Sequence, residues 1–172
     1  GSRHATFMAR SFKYTKEIVM HAIINNGFNA SYPGGDGKPL LATDHPLLGG
    51  GTFSNKLSTP ADLSETSLEA AILQIEGWVD ERGLPIVINA KCLVVPRFLR
   101  YVASRILNSM QRPGTANNDI NALKEAGDIP EYASSRYLTD PNSWFITTDC
   151  PDGLKHFKRI ALNTTMKEGH FE

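Results

Sequence analysis

The chain has little of what metal-binding, secreted or membrane-spanning proteins usually contain. Its 172 residues include only two cysteines, too few for a cysteine-rich metal site or a disulfide framework. No apolar run approaches the ~20 residues that a membrane-spanning helix needs, and no charged-then-apolar leader that would indicate export opens the chain. Lysine plus arginine equals aspartate plus glutamate at 18 each. A chain with zero net charge has no long-range electrostatic field that would attract nucleic acid. This disfavours a protein that only binds nucleic acid.

Motifs of catalysis are also sparse, and the glycine-rich loop is the main candidate. Gly34–Lys38 resembles a phosphate cradle, but a P-loop needs four residues between its glycines and a helix after the lysine, whereas Pro39 follows here. We therefore expect a glycine turn. The alternative is a hydrolase or transferase that uses the Gly34–His45 loop. It would require four side chains to converge on one pocket: Asp36, Lys38, Asp44 and His45.

Metal ligands are equally poorly supported by spacing. Asp44-His45, His156 and His170 have no second ligand at strand or helix spacing, so we expect surface or turn positions for them. Cys92 lies in an apolar run and Cys150 beside a turn, which predicts a small core residue and an isolated thiol. The sequence thus predicts no catalytic residues, no metal and no cofactor.

The stretch from Leu63 to Asn108 is the predicted scaffold. Asp62 and Ser64 are both good cap residues, and Asp62 and Glu65 have capping-box spacing, before a helix that Gly83 and Pro85 would end. The apolar face of that helix comprises Leu68, Ala71, Ile72, Ile75 and Val79. Ile86–Ile88 is short and β-branched and predicts a buried strand, and Leu93–Val95 predicts a second extended run.

A further helix is predicted to begin at Pro96, a favoured first helical residue. Its apolar stripe comprises Leu99, Val102, Ala103, Ile106 and Leu107, and Arg97, Arg100 and Arg105 fall on the opposite face. Three arginines on an outer helical face are ordinary for solvated surfaces. They could also meet acidic residues of a neighbouring subunit, or DNA, and the zero net charge favours solvent or a neighbour.

The first helix is expected to run from about residue 5 to Asn26, where Asn26-Gly27 supplies a stop signal. At ~1.5 Å per residue it would be about 30 Å long. One side is apolar, with Met8, Phe12, Thr15, Val19, Ala22 and Ile23. The other side is charged, with Arg10, Lys13, Glu17 and His21. Such a helix suits packing along a sheet or a neighbouring subunit.

The remaining segments are predicted to be irregular or extended. Phe28–Pro60 lacks periodicity, and its length is typical of functional or disordered loops. Its apolar residues favour an extended segment that packs on its own fold or on a neighbour. Expected buried anchors within it are Tyr32, Leu40, Leu41, Leu47, Leu48 and Phe53. Tyr132–Asp149 predicts two extended runs around a turn at Asp140-Pro141-Asn142, with Trp144 mostly buried, and Leu154–Thr165 predicts a final strand.

Seven stretches of the sequence, taken in order along the chain, resemble the major capsid proteins of tailed bacteriophages and prophages, which share the Hong Kong 97-like fold. The similarity is greatest to the Mu-type major head subunits. It covers nearly the whole chain and is carried by RSFKYTKEIVMHAIINNGF, DGKPLLATDHPLLGG, DLSETSLEAAI, LVVPRFLRYVASRILNS, TANNDINAL, YLTDPNSWFITTD and GLKHFKRIAL. No single segment is a chemical signature, so it is their order that carries the resemblance.

The resemblance implies an α+β fold with a long spine helix and an axial domain, a central sheet flanked by helices. Residues 1–60 would form the spine helix and extended loop of the peripheral domain, 61–150 the axial domain, and 151–172 a strand returning to the peripheral domain. It implies a fragment of a longer capsid protein, because the family normally carries further segments at both ends.

The implied function is structural rather than enzymatic. Copies of the chain would form pentamers and hexamers in an icosahedral head around double-stranded DNA, assembled in the bacterial cytoplasm and then part of the virion. Contact with DNA would be sequence-independent neutralisation of phosphates. No membrane and no small-molecule substrate is implied.

Overall fold

The chain folds as a mixture of helices and small sheets, which confirms the α+β class. The computed structural model describes residues 2–111, 119–151, 153–157 and 159. Its helices are α1 (Ser2–Asn25), α2 (Glu65–Glu76), α3 (Arg100–Asn108) and α4 (Ala122–Ala126). Its strands are β1 (His45–Pro46), β2 (Thr52–Phe53), β3 (Ala90–Pro96), β4 (Glu131–Ser135) and β5 (Phe145–Thr148).

The central sheet has three strands with β3 in the middle. β4 pairs with β3 in parallel and β5 pairs with it antiparallel, so the two runs around the Asp140–Asn142 turn lie on opposite edges. Leu93 and Val95 of β3 are fully buried, which confirms the extended run predicted there. Trp144, just before β5, is only partly buried, and its indole Nε1 donates to the carbonyl of Ala61 at 3.0 Å.

The prediction of a buried strand at Ile86–Ile88 was wrong. Val87 is 90% exposed, and these three residues form no strand. The reason is the register of the sheet: β5 meets β3 as far as Ala90, and Asp149 then accepts from the backbone and side-chain amides of Asn89. An apolar run beyond that point has no strand to pair with, whatever its β propensity.

Helix α2 is shorter than predicted at its end. Ser64, one of the two predicted cap residues, is the N-cap, and it forms a capping box with Ser67 instead of the predicted Asp62–Glu65 pair. The helix ends at Glu76, with Gly77 at the C-cap. Gly83 does adopt a left-handed conformation, with φ of 80°, but within the following turn. Val79 consequently lies outside the helix.

The core lies between α2, the sheet and α3. Pro96 ends β3 and precedes a short 3-10 helix, Arg97–Leu99, so regular α-helix begins later than predicted. The predicted apolar stripe of α3 is confirmed, because three of its residues are buried and Leu99 and Val102 pack against the core. The cluster comprises Leu63, Leu68, Ile72, Ala90, Leu93, Val95, Ala103, Ile106, Leu107, Leu123 and Ile129.

The long segment after α1 is held by a few defined contacts. The backbone of Leu41 bonds to that of Gly27 at 2.8 Å, and a Cβ on Gly27 would lie 2.9 Å from the carbonyl oxygen of Ile24, which only glycine avoids. Of the predicted anchors, Leu40, Leu41, Leu47 and Phe53 are partly buried. Tyr32 and Leu48 are exposed, Leu48 by 95%, so the prediction was wrong for both.

The predicted final strand is only partly covered by the described residues. Residues 154–157 have no regular structure, and most of Leu154–Thr165, like His170, lies outside the described part. Among the described residues, no helix is both long and apolar enough to cross a membrane.

Candidate interaction surfaces

Helix α1 is attached to the rest of the chain by its polar side. His21 Nε2 lies 2.8 Å from the Ser135 hydroxyl. The side-chain amide of Asn25 donates to the Tyr137 carbonyl at 2.9 Å and accepts from the Thr139 backbone at 3.2 Å. Tyr14 contacts the ring of Tyr137, with centroids 5.8 Å apart. The side of the helix that carries Tyr14, His21 and Asn25 therefore provides the attachment.

The apolar side of α1 is largely exposed within the described part of the chain. Successive helical residues turn about 100°, so its large side chains fill an arc of about 160°. Each of them is between 44% and 64% exposed. We call this surface the apolar arc: Phe7, Met8, Phe12, Ile18, Val19 and Ile23. Of the two expected settings for this stripe, a sheet or a neighbouring subunit, the sheet in the described part of the chain does not cover it.

The apolar arc is larger than a scattered set of surface hydrophobic residues. A fully exposed aromatic side chain presents roughly 150–250 Å². Phe7 at 64% and Phe12 at 49% exposure alone therefore leave on the order of 200 Å² of ring surface in water, before four aliphatic or thioether chains are added. Contiguous patches of several hundred Å² mark interaction sites in soluble proteins.

The three arginines predicted on the outer side of α3 and the turn before it are exposed as predicted: Arg97, Arg100 and Arg105. Two exposed aromatic rings lie among them. Phe98 lies 4.6 Å beneath the Arg97 guanidinium, and Tyr101 lies 5.9 Å from that of Arg100. We call these five residues the arginine surface. Arginine and aromatic residues are the types enriched at the energetic centres of interfaces.

The glycine-rich loop brings its four candidate residues together as two side-chain pairs. His45 Nδ1 lies 2.6 Å from Asp36 Oδ2, and Lys38 Nζ pairs with Asp44. The hydrogen bond from the His45 side chain holds the pKa of Asp36 below its ordinary value of 3.8, and that from Lys38 does the same for the pKa of Asp44. Gly34–Lys38 forms a tight turn, as predicted, in which the Lys38 backbone bonds to Asp36 Oδ1.

Asn55 ties that loop to the following ladder. Its Oδ1 accepts from the backbone of Ala42 at 2.9 Å and lies 3.2 Å from His45 Nε2, while its Nδ2 donates to the Leu40 carbonyl at 2.8 Å. The charged side chains are thus engaged with one another and with Asn55. In this position they fix the shape of an exposed loop.

A cavity of about 610 Å³ lies between the long loop, α2 and β5. Four aromatic residues contribute to its wall: Phe28, Trp78, Trp144 and Phe145. Phe28 stacks on Phe145 at 5.8 Å between centroids. The buried Nε1 of Trp78 has no hydrogen-bond partner among the described residues. None of the four charged loop residues lines this cavity.

Asn121 is an important polar residue that sequence reasoning missed. It is 2% exposed, and its side-chain amide donates to the carbonyls of Ile106 at 2.5 Å and Ser109 at 3.0 Å. Its Oδ1 caps α4 by accepting from the Lys124 backbone. An asparagine directly before a helix-forming stretch that ends in Gly127 is a recognisable capping signal, although the contacts with α3 are not readable from spacing.

Metal ligation finds no support in the described part of the chain. Residues 2–111, 119–151, 153–157 and 159 contain no group of three or more histidine, cysteine, aspartate or glutamate side chains placed to hold an ion. Cys92 is partly buried, and desolvation raises the pKa of its thiol, which makes it a poor nucleophile or ligand; Cys150 is exposed.

Comparisons with models of protein families, with curated proteins and with solved structures gave no match.

Proposed function

We propose that this chain is a structural subunit of a phage or prophage head, with a Hong Kong 97-like fold of the Mu-type branch. In this proposal copies of the chain associate into pentamers and hexamers of an icosahedral shell around double-stranded DNA. The proposal rests on the order of the sequence segments that resemble major capsid proteins. The shell would form in the bacterial cytoplasm and become the capsid of the virion.

The observation that carries the proposal structurally is the orientation of α1. A helix of 24 residues, about 36 Å long at ~1.5 Å per residue, is anchored by its polar side and turns the apolar arc to solvent. Amphipathic helices owe most of their stability to burial of the apolar side. Because the described residues leave this surface open, the chain is suited to a role in which another subunit covers it.

The assignment of segments to domains follows the resemblance. Within the proposal, residues 1–60 are the spine helix and extended loop, 61–150 the axial domain with the β4-β3-β5 sheet, and 151–172 the return to the peripheral domain. The core between α2, the β4-β3-β5 sheet and α3 supports this assignment of an axial lobe of sheet and helices.

The arginine surface has two possible roles in a shell. Its mixture of guanidinium groups and exposed rings fits a contact between subunits, where Phe98 and Tyr101 would be covered. If it faces the interior, Arg97, Arg100 and Arg105 would neutralise DNA phosphates without reading sequence. The two roles differ in salt dependence, since phosphate binding weakens steeply with salt.

The alternative of a hydrolase or transferase gains no specific support from the loop. Asp36, Lys38, Asp44 and His45 are close together, but each is already paired and all belong to one exposed loop. We therefore keep a structural role, without enzymatic activity, cofactor or small-molecule substrate, as the proposal.

The proposal is tested by particle formation. The full reading frame that contains this chain, with any assembly partners supplied, should give closed particles by electron microscopy and light scattering. Val19→Asp, in the apolar arc, should abolish them, whereas Val87→Asp, the same change at a 90% exposed site, should not. A parent protein that stays monomeric under all these conditions contradicts the proposal.

A further inference from the structure

Charge is distributed unevenly along this neutral chain. Helix α1 carries four cationic side chains, Arg3, Arg10, Lys13 and Lys16, against the single acid Glu17. Residues 57–81, which include α2, contain no lysine or arginine and six acids: Asp62, Glu65, Glu69, Glu76, Asp80 and Glu81. The zero net charge therefore conceals a basic helix and an acidic one.

The outer side of α2 repeats the layout of α1 with the opposite sign. Ala70 and Leu73 are exposed, Leu73 by 68%, and they follow Thr66 along one row of the helix. At about 100° per residue, Glu69 and Glu76 lie together along one edge of this row. We call the row with its acidic edge the α2 seam. It points away from the cavity, whose wall uses Ala71, Gln74 and Trp78 instead.

The apolar arc of α1 has a matching cationic edge. By the same helical geometry, Lys16 lies next to Ile23 at the margin of the arc, and Lys13 lies beyond it. Neither lysine forms an ion pair within the described part of the chain, and the same holds for Glu69 and Glu76. An apolar strip with a positive margin thus exists on one helix. A shorter exposed row with a negative margin, in which Ala70 and Leu73 are apolar, exists on another.

We propose that the apolar arc of α1 docks on the α2 seam of a second copy of this chain, with Lys13 and Lys16 against Glu69 and Glu76. This rests on the proposed self-assembly and names the surfaces that perform it. The contact uses two different surfaces, so it is heterologous and continues from copy to copy, forming a ring when the rotation closes. A second copy is preferred to an anionic membrane because the complementary charge and apolar row lie on the same chain.

The size of the contact sets its strength. Helix α2 has 12 residues, about 18 Å at ~1.5 Å per residue, so it covers about half of α1. One such helix pair is smaller than the roughly 1,200–2,000 Å² of a stable interface. Each contact is therefore weak by itself and gains strength when many copies engage together.

Charge reversal with rescue tests the docking. In sedimentation velocity at high protein concentration and low salt, Lys13→Glu with Lys16→Glu should weaken self-association at least about tenfold, as should Glu69→Lys with Glu76→Lys, because like charges then face each other. A chain that carries all four changes should regain association. As a control, Arg97→Glu with Arg105→Glu changes the net charge by the same amount at another surface. A chain that combines these two changes with Glu69→Lys and Glu76→Lys should not regain self-association.

Cross-linking locates the contact independently of charge. A chain with Val19→Cys is mixed with a chain with Leu73→Cys, both carrying Cys150→Ser, and oxidised. A disulfide-linked pair of the two chains, found by mass spectrometry, supports the docking. Replacing Leu73→Cys by Val87→Cys should abolish that product. Because the two cysteines are on separate chains, a contact within one chain cannot produce it.

The outcomes separate this inference from the shell proposal. Closed particles that lack the Val19–Leu73 cross-link overturn the docking and leave the shell role standing. Open oligomers that contain the cross-link support the docking and contradict a shell. A chain that remains monomeric, or whose α1 binds anionic phosphatidylserine vesicles without self-association, overturns the docking.

Discussion

Replacing Asn121 by alanine should destabilise the fold far more than its polarity suggests. The side chain is 2% exposed and connects three places: the end of α3, the residue after it and the start of α4. Alanine removes the acceptor that caps α4 at Lys124, a loss of about 0.5–2 kcal/mol. It also leaves two carbonyl groups without their donor.

The two carbonyl groups differ in whether water can replace the hydrogen bond that they lose. The oxygen of Ile106 is bonded at 2.5 Å in a buried position, so losing its donor costs about 1–3 kcal/mol. The oxygen of Ser109 is only partly buried, and water can replace part of its 3.0 Å bond. We therefore expect Asn121→Ala to lower the free energy of unfolding by about 2–4 kcal/mol.

The measurement is urea unfolding followed by far-UV circular dichroism, with Asn108→Ala as the matched control. Asn108 is exposed and its side chain makes only a 3.5 Å contact with Ser104, so its loss should stay below ~0.5 kcal/mol. Asn121→Asp keeps the capping oxygen but turns a carboxylate oxygen towards two carbonyls, and should be at least as damaging as alanine. A loss below ~0.5 kcal/mol for Asn121→Ala would refute this account of the α3–α4 junction.

Three further predictions concern the core, the sheet edge and the arginine surface. Ile106→Ala should lower the free energy of unfolding by about 2–5 kcal/mol and the partly buried Leu99→Ala by the lower end of that range, with Val87→Ala near zero; equal losses at all three sites in urea unfolding would contradict the core placement. Hydrogen bonds from Asn89 hold the pKa of Asp149 below 3.8, so its stabilising contribution is complete above that pH and disappears as pH falls through the lowered pKa. Accordingly, the stability difference between the natural chain and Asp149→Asn should vanish at the acid end of a pH series, and a constant difference would exclude this link. If the arginine surface faces DNA, retention on duplex DNA should weaken steeply with salt, with a smaller salt slope after Arg97→Ala, Arg100→Ala and Arg105→Ala together; no retention even at low salt would exclude that role.

Periodic burial was predictable from the sequence because it depends on local spacing. Leu68, Ile72 and Ile75 are buried at helical intervals in α2, and Leu93 and Val95 alternate in β3. These side chains are apolar at every position that must face the core, so few other arrangements can bury them.

Where a sequence allows more than one helix cap or more than one local conformation, tertiary contacts determine which one forms. Asp62 and Ser64 are both good cap residues, but Ser67 can donate to the backbone of Asp62 and accept from that of Ser64, which favours the serine pair. Ile86–Ile88 has the composition of a strand but lies past the end of the sheet. Burial of that run depends on where β5 stops, which no property of the three residues encodes.

The candidate loop shows the same limit for a site. Asp36 and His45 are nine residues apart and Asn55 is ten further on, with no motif relating them. Only the turn at Gly34–Lys38 and the β1–β2 ladder bring them together, and the glycine pattern predicts the turn but not the pairing.

The periodicity of helix α1 predicts the helix itself but not the side by which it attaches to the rest of the chain. The alternation of apolar and charged residues over 24 positions predicts a helix and its apolar side, and the helix is there. It does not encode which side the chain itself uses, and here Tyr14, His21 and Asn25 on the polar side make that attachment. Polar contacts can hold a helix in place without hiding its apolar surface, so the free energy of burying that surface remains available to another molecule. If the arc served only this chain's own fold, Val19→Asp would destabilise folding of the monomer; we expect unchanged unfolding of the monomer and lost association instead.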